Sequence, residues 1–325
     1  MNKPLLLRPS GKDYLWGGKR LNDEFEKRIP LSPLAETWEC STHPEGPSYV
    51  VGGAFDGAPL ARVIEEHPDF LGSRHAGERE LPILIKFIDA KQDLSIQVHP
   101  TDEFARLYEP GQRGKTEMWY VLDAGKDASL FYGLRQDVTA RELERMLADG
   151  SILRAMQRVK VRKDDVFLVE AGTIHAIGAG TLAAEIQENS NLTYRLYDYD
   201  RVDKEGKKRP LHLDKGLRAA KLTGSAEPRQ PLRVLNYRQG VASELLCRCR
   251  YFEVYRMLLN TERRQRVTYR ADGLSFRVLL CINGCGILRF GEEEILFYKG
   301  DCVFVPADSL ELELHGQAQF LDVRG

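Results

Sequence analysis

Long apolar runs are missing from this 325-residue chain. No stretch approaches the roughly 20 apolar residues that span a bilayer. The N-terminal run in MNKPLLLRPSGKDYLW stops at Leu7, short of the apolar core of a secretory signal. No membrane partner is therefore expected, and the expected location is the cytoplasm. An excess of one charge is missing too: 47 Lys and Arg stand against 48 Asp and Glu, a net charge of -1. Nucleic-acid binding selects for a basic stripe and usually a module such as a helix-turn-helix. Neither is visible, so no nucleic-acid partner is expected. Paired-cysteine motifs are also absent, since Cys40, Cys247, Cys249, Cys281, Cys285 and Cys302 include no C-x-x-C. In a reducing compartment they read as small buried hydrophobes. Structural zinc through Cys247, Cys249, Cys281 and Cys285 is the alternative, at a spacing that matches no usual finger.

Short strand signals dominate what is present. Val/Ile/Leu/Phe-rich runs bounded by Gly, Pro, Asp and Asn occur at 81–88, 94–99, 118–122, 166–169, 276–282, 287–290 and 302–305, the pattern of a sandwich or barrel. Helices are fewer. Residues 59–66 open on a proline, Thr101-Asp102-Glu103 starts another helix, and Thr139 to Glu142 forms a capping box. Ser151 is read as the cap of the next. The segment 139–160 is thus a small helical insertion. Ser225-Ala226-Glu227-Pro228-Arg229-Gln230-Pro231 reads as a linker. The domains predicted are 1–235, holding the site, and 236–325. The loop Lys204-Glu205-Gly206-Lys207-Lys208-Arg209 is either a solvated loop or a steering element for phosphate.

Strand alternation gives Leu94-Ser95-Ile96-Gln97-Val98-His99 one oily face and one polar face carrying Ser95, Gln97 and His99. After the Gly111/Gly114 loop, Lys115 and Glu117 share a face. His175 follows a turn that Gly172 suits. Gln97, His99, Glu117 and His175 form a mixed nitrogen and oxygen donor set that suits zinc and would also hold Mn, Fe or Co. A polar barrel lining with satisfied hydrogen bonds is the competing reading of the same residues.

The blocks LPILIKFIDAKQDLSIQVHP (81–100), GKTEMWYV (114–121), AGTIHAIGAGTLAAEIQ (171–187) and TYRLYDYDR (193–201) occur in that order, with weaker echoes at 15–18 and 36–48. They closely resemble the type I mannose-6-phosphate isomerase family, above all its shorter bacterial form, over most of residues 1–215. The resemblance implies a mainly β fold with a cupin-like, double-stranded β-helix core. It implies one zinc ion per chain on Gln97, His99, Glu117 and His175. It places Ser95, Lys86 and Lys115 at the substrate phosphate or in the polar pocket, makes Arg195 important for catalysis, and makes Glu185 a pocket carboxylate. Gly300-Asp301-Cys302-Val303-Phe304-Val305-Pro306 keeps the Gly-to-Pro frame of a cupin motif, but Glu311 stands where His175 stands in the first copy. A second cupin-like barrel without metal ligands is inferred.

The implied reaction interconverts mannose 6-phosphate and fructose 6-phosphate through a cis-enediol, in mannose catabolism or mannose 6-phosphate supply. It needs a group that stabilises negative charge on oxygen and a base tuned toward neutrality. Glu185, Lys115 and a metal-bound water are the candidates for the base. Glu185 could equally be a structural ion-pair partner. Lys86, set among apolar neighbours, is read as paired only when phosphate binds, or else as the structural partner of a carboxylate such as Glu117. Arg195 supports the enediolate or the phosphate, or pairs with Asp198 or Asp200. Trp16 and Trp38 are pocket wall or core. A cupin oxygenase and a sugar-binding cupin are the rival classes; Gln97 and the phosphate-friendly Ser95, Lys86 and Lys115 argue against the first, and the full ligand set argues against the second. Monomer and homodimer both remain open.

Overall fold

The computed structural model describes residues 2–203, 205–226, 233–263 and 265–325. Their strands form three antiparallel sheets. The first has six strands in the order Val166–Val169, Glu117–Ala124, Thr181–Glu188, Ile83–Ala90, Glu36–Cys40 and Ser10–Lys12. The second has five: Tyr194–Tyr197, Ile96–Val98, His175–Ile177, Ser129–Leu134 and Met156–Lys160. These two sheets face one another across a core that includes Ile88, Trp119, Val121 and Phe167 from the first and Leu130, Val159 and Ile177 from the second. The third sheet has ten strands, running mainly through residues 236–324, and it curls around its own apolar interior.

The six-stranded sheet is covered on both faces, which is why its central strands read as near-continuous apolar runs. Trp119 and Val121 point into the first barrel. Met118, Tyr120 and Leu122 alternate with them and pack against Leu246, Val254, Val278, Phe304 and Val323 of the ten-stranded sheet. The outer face of the five-stranded sheet is closed by helices. Leu143, Leu147 and Ile152 cover Ile96, Val98, Phe131 and Ala176. Thr139 caps the helix Ala140–Ala148 with the full reciprocal box. The mainly β, two-barrel expectation therefore matches the architecture. No helix among the described residues is long and apolar enough to cross a membrane.

Several local expectations are corrected. The helical insertion ends at Ala155, because Met156–Lys160 is a strand paired to Ser129–Leu134. Ser151 stands at the N-cap position of Ile152–Ala155 without a side-chain capping bond. The runs at 276–282 and 287–290 are one strand, Arg277–Phe290, whose register shifts between Cys281 and Asn283. A boundary at 235 does not separate the sheets. Leu5–Arg8 pairs with Cys302–Val305 and with Tyr49–Val51, so two early segments extend the C-terminal sheet. Within the proposed linker, residues 227–231 lie outside the described residues, while Ser225 N–H donates to Leu134 O. The basic loop loses Lys204 in the same way. The four late cysteines are dispersed: Cys247 packs between the barrels, Cys281 faces the second interior, Cys249 is half-buried and Cys285 is exposed.

Candidate metal centre and substrate cavity

Two cross-strand rows build the site. In the five-stranded sheet, Arg195 lies opposite Gln97, which lies opposite His175. In the six-stranded sheet, Trp38 lies opposite Lys86, Lys86 opposite Glu185, and Glu185 opposite Trp119. Both rows point into the first barrel. Glu117 begins the strand next to Glu185, and His99 follows the strand of Gln97.

His99, Glu117 and His175 are buried and their ligand atoms lie within 4.8 Å of one another. His99 Nδ1–H donates to Leu192 O at 2.9 Å, and His175 Nδ1–H donates to Thr173 O at 2.9 Å. Both rings are thereby fixed in the tautomer that turns an Nε2 lone pair inward. Those atoms meet carboxylate oxygens, His99 Nε2 at 3.4 Å and His175 Nε2 at 3.2 Å from Glu117. Neutral Nε2 and carboxylate oxygen are both acceptors. His99 Nε2 and Glu117 Oε1 accordingly have no hydrogen-bond partner although buried, and Glu117 Oε2 is met only by the Lys115 ammonium. Such orphaned acceptors fit a cation between them. The Gln97 amide lies 3.4 Å from His175 Nε2, and a half-turn of that amide presents its oxygen to the same point. Burial and the Lys115 charge push the His99 imidazole down to about 3, which keeps it neutral and ligand-competent. Burial works against a charged Glu117, but Lys115, His99 and His175 outweigh it and hold the carboxyl well below its ordinary range.

Above this trio opens a cavity of about 200 Å³ lined by Tyr14, Trp16, Glu36, Lys86, Ser95, Gln97, Lys115, Glu185, Arg195 and Arg209, among others. Lys115 Nζ is 2.8 Å from Glu117 and 3.7 Å from Glu185, so it joins metal ligand to cavity. Lys86 is paired in the free chain, contrary to the reading that only a ligand would pair it. Its Nζ lies 3.6 Å from Glu36 and 3.4 Å from Glu185, over the Trp38 ring. Glu117 is not the structural partner suggested for it. Burial would lower the Lys86 ammonium, but Glu36 and Glu185 raise it above its ordinary value. Glu185 accepts from Trp119 Nε1 at 3.0 Å, and burial, then Glu117, push it up against the pull of Lys115 and Lys86.

Arg195 donates to Pro210 O at 3.0 Å, and its buried Nε has no partner. The pairing suggested with Asp198 or Asp200 does not form. Asp198 is taken by Arg201 and Arg209, and Asp200 by Lys208. Trp16 is both core and wall, whereas Trp38 is fully buried beneath the Lys86 ammonium and does not line the cavity. Sequence reasoning missed Glu36 as a cavity residue and reached Arg209 only within the basic loop read as solvated or phosphate-steering. The first had a signal in Glu36-Thr37-Trp38-Glu39-Cys40, two acids in a strand of large apolar side chains that had to find buried cations. Glu36 finds Lys86, and Glu39 finds Lys27 at 2.6 Å on the opposite face.

The wall holds the cations Lys86, Lys115, Arg195 and Arg209 against the carboxylates Glu36 and Glu185. A β-barrel with a metal-capable His-Glu-His centre below such a wall defines a cupin-like barrel whose cavity suits an anionic small molecule. Residues 5–125 match the model for the phosphomannose isomerase type I catalytic domain, and residues 243–324 match that for the mannose-6-phosphate isomerase cupin domain. Mannose-6-phosphate isomerase ManA of Bacillus subtilis is 39% identical over 98% of this chain and 97% of its own. The chain belongs to the type I mannose-6-phosphate isomerase family. The crystal structure of a mannose 6-phosphate isomerase from Bacillus subtilis superposes with a TM-score of 0.90, at 33% identity over 99% of each chain. A zinc-bound mannose 6-phosphate isomerase shares the fold, with a TM-score of 0.76 at 16% identity over 100% of each chain.

Proposed function

We propose that His99, Glu117, His175 and Gln97 hold one zinc ion, and that Lys86, Ser95, Lys115, Glu185 and Arg195 bind and turn over the substrate beside it. The enzyme is an isomerase interconverting mannose 6-phosphate and fructose 6-phosphate. The observation that carries the zinc reading is the convergence of the buried His99, Glu117 and His175 donor atoms, with His99 Nε2 and Glu117 Oε1 left without hydrogen-bond partners. Two nitrogens and one or two oxygens suit zinc, and a relative of the same fold is known as its zinc-bound form. When bound, zinc supplies a Lewis acid beside the reacting oxygens of the open-chain sugar.

The chain's own groups account for the rest. Arg195 brings a guanidinium whose Nε is unused, and Arg209, Lys86 and Ser95 line the same wall, so the phosphate dianion enters a cavity with surplus positive charge. Lys115 connects Glu117 to Glu185 and keeps positive charge next to the oxygens that become negative in the cis-enediol. Glu185 carries the proton between C2 and C1. Its carboxyl is raised by burial toward the range in which it can both take and return a proton. The buried Trp119 N–H fixes one of its oxygens and leaves the other toward the cavity lysines.

The test is conversion of mannose 6-phosphate to fructose 6-phosphate by purified protein before and after chelation, with zinc added back. Loss and restoration are expected. Full activity in a metal-free sample would contradict the zinc reading, and no activity in a folded, zinc-loaded sample would contradict the substrate.

A further inference from the structure

The segment that delivers Lys115 and Glu117 to the site hangs on three successive backbone donors. Gly114 N–H donates to Asp102 Oδ1 at 3.0 Å, Lys115 N–H to Pro100 O at 3.0 Å, and Thr116 N–H to Glu188 Oε1 at 2.7 Å. Glu188 N–H returns a bond to Thr116 O at 3.1 Å. A side chain at 114 would not fit, since a Cβ there would sit 2.4 Å from Asp102 N. The strand that ends in Glu188 also carries Glu185. Asp102 opens the helix after His99 and Pro100. Its second oxygen, Oδ2, accepts from Tyr251 O–H at 3.0 Å. Tyr251 lies in the turn between the second barrel's strands Val241–Arg248 and Glu253–Asn260. None of these three side chains lines the substrate cavity.

We propose that Asp102 and Glu188, braced by Tyr251 of the second barrel, are positioning residues that set the Gly114–Thr116 backbone and through it the Lys115 and Glu117 side chains. The inference rests on the functional reading above. The two carboxyls lie against each other, and burial together with the Asp102 charge pushes Glu188 up to about 8. A protonated Glu188 accepts from Thr116 and donates to Asp102, which a glutamine amide can imitate. The arrangement also gives the second barrel a route to the metal centre of the first. Supports that orient metal ligands are typically worth about 10–100-fold in affinity or activity.

The experiment compares Glu188→Ala, Glu188→Gln and Tyr251→Phe with wild type, measuring kcat and KM, zinc affinity by chelator competition, and thermal midpoint. Glu188→Ala is expected to lower kcat about tenfold or more and to weaken zinc by a similar factor, with KM within about threefold. Glu188→Gln is expected to recover most of both losses. Tyr251→Phe is expected to lower kcat about threefold while the fold is retained. If Glu188→Ala stays folded with wild-type kcat and zinc affinity, the inference is overturned. The same follows if Glu188→Gln loses as much as Ala, or if only the thermal midpoint moves. Should Glu188→Ala not fold, unchanged kcat and zinc affinity in Tyr251→Phe overturn it. A wild-type enzyme inactive on mannose 6-phosphate defeats the functional reading instead, and the zinc competition then decides the positioning role by itself.

Discussion

In the first barrel the inward row reads Trp38, Lys86, Glu185 and Trp119. In the second barrel the inward positions along Leu312–Arg324 include Leu312, Leu314, Ala318 and Phe320, packed on Phe297, Leu279 and Val303, with Asp322 near the end bonded by Tyr269 O–H and paired with Arg277. Both interiors are made by the same strand alternation, and both barrels turn their other faces to a shared apolar layer. That layer keeps the six-stranded sheet in register while its inner face carries charge. A row of ions in a sheet interior is expensive to bury. Here each charge has a named partner, and the stabilising burial comes from the second barrel on the reverse face. The filled barrel therefore supports the chemistry of the open one, and it reaches the ligand-bearing segments by polar contacts too, Tyr251 at Asp102 and Arg256 and Gln319 at Tyr120.

The comparison can be broken most severely at the metal centre. Replacing His99 by alanine is expected to lower kcat/KM about a thousandfold, the several kcal/mol that a Lewis acid contributes, with the melting curve of the second barrel retained. Steady-state rates and thermal unfolding check this. In the second barrel the equivalent injury is structural. Phe320→Ala, which removes a ring packed at 5.0 Å on Phe297, is expected to cost about 3–5 kcal/mol of stability. Its folded fraction should keep wild-type kcat/KM, measured by denaturant unfolding alongside the assay. Lys86→Met is expected to raise KM about tenfold, a loss near 1.5 kcal/mol, and to destabilise the protein because Glu36 and Glu185 remain. Loss of stability with KM unchanged would make Lys86 purely structural. The last effect is on pH dependence. Glu188 is raised from 4.5 to about 8, so the folded state holds a proton that the unfolded state has lost. Its contribution is fully present below about pH 4.5 and is lost as pH rises through about 8, by at most about 1.4 kcal/mol per pH unit. Glu188→Gln should flatten that slope in denaturant titrations between these limits.

The sequence was most legible where one strand carries both patterns at once. Ser95, Gln97 and His99 alternate with Leu94, Ile96 and Val98, and the structure brings Gln97 and His99 together with Glu117 and His175, which lie on other segments and were grouped with them through the family resemblance. The cavity residues Lys86, Ser95, Lys115, Glu185 and Arg195 are likewise brought to one wall. Partners were less legible, because pairing across a sheet depends on register. Lys86 meets Glu36 and Glu185 through two ladders that no local pattern fixes. The placement of Leu5–Arg8 in the C-terminal sheet was hidden for the same reason, since its partner Cys302–Val305 lies almost a whole chain away.

The account turns on one ion in one barrel. The most direct measurement is the zinc content per folded chain, by atomic emission, of wild type and His99→Ala, read beside isomerase activity. One zinc per wild-type chain, lost with the activity in His99→Ala, is the predicted result. Zinc retained undiminished in the variant, or wild-type activity without any metal, would contradict it.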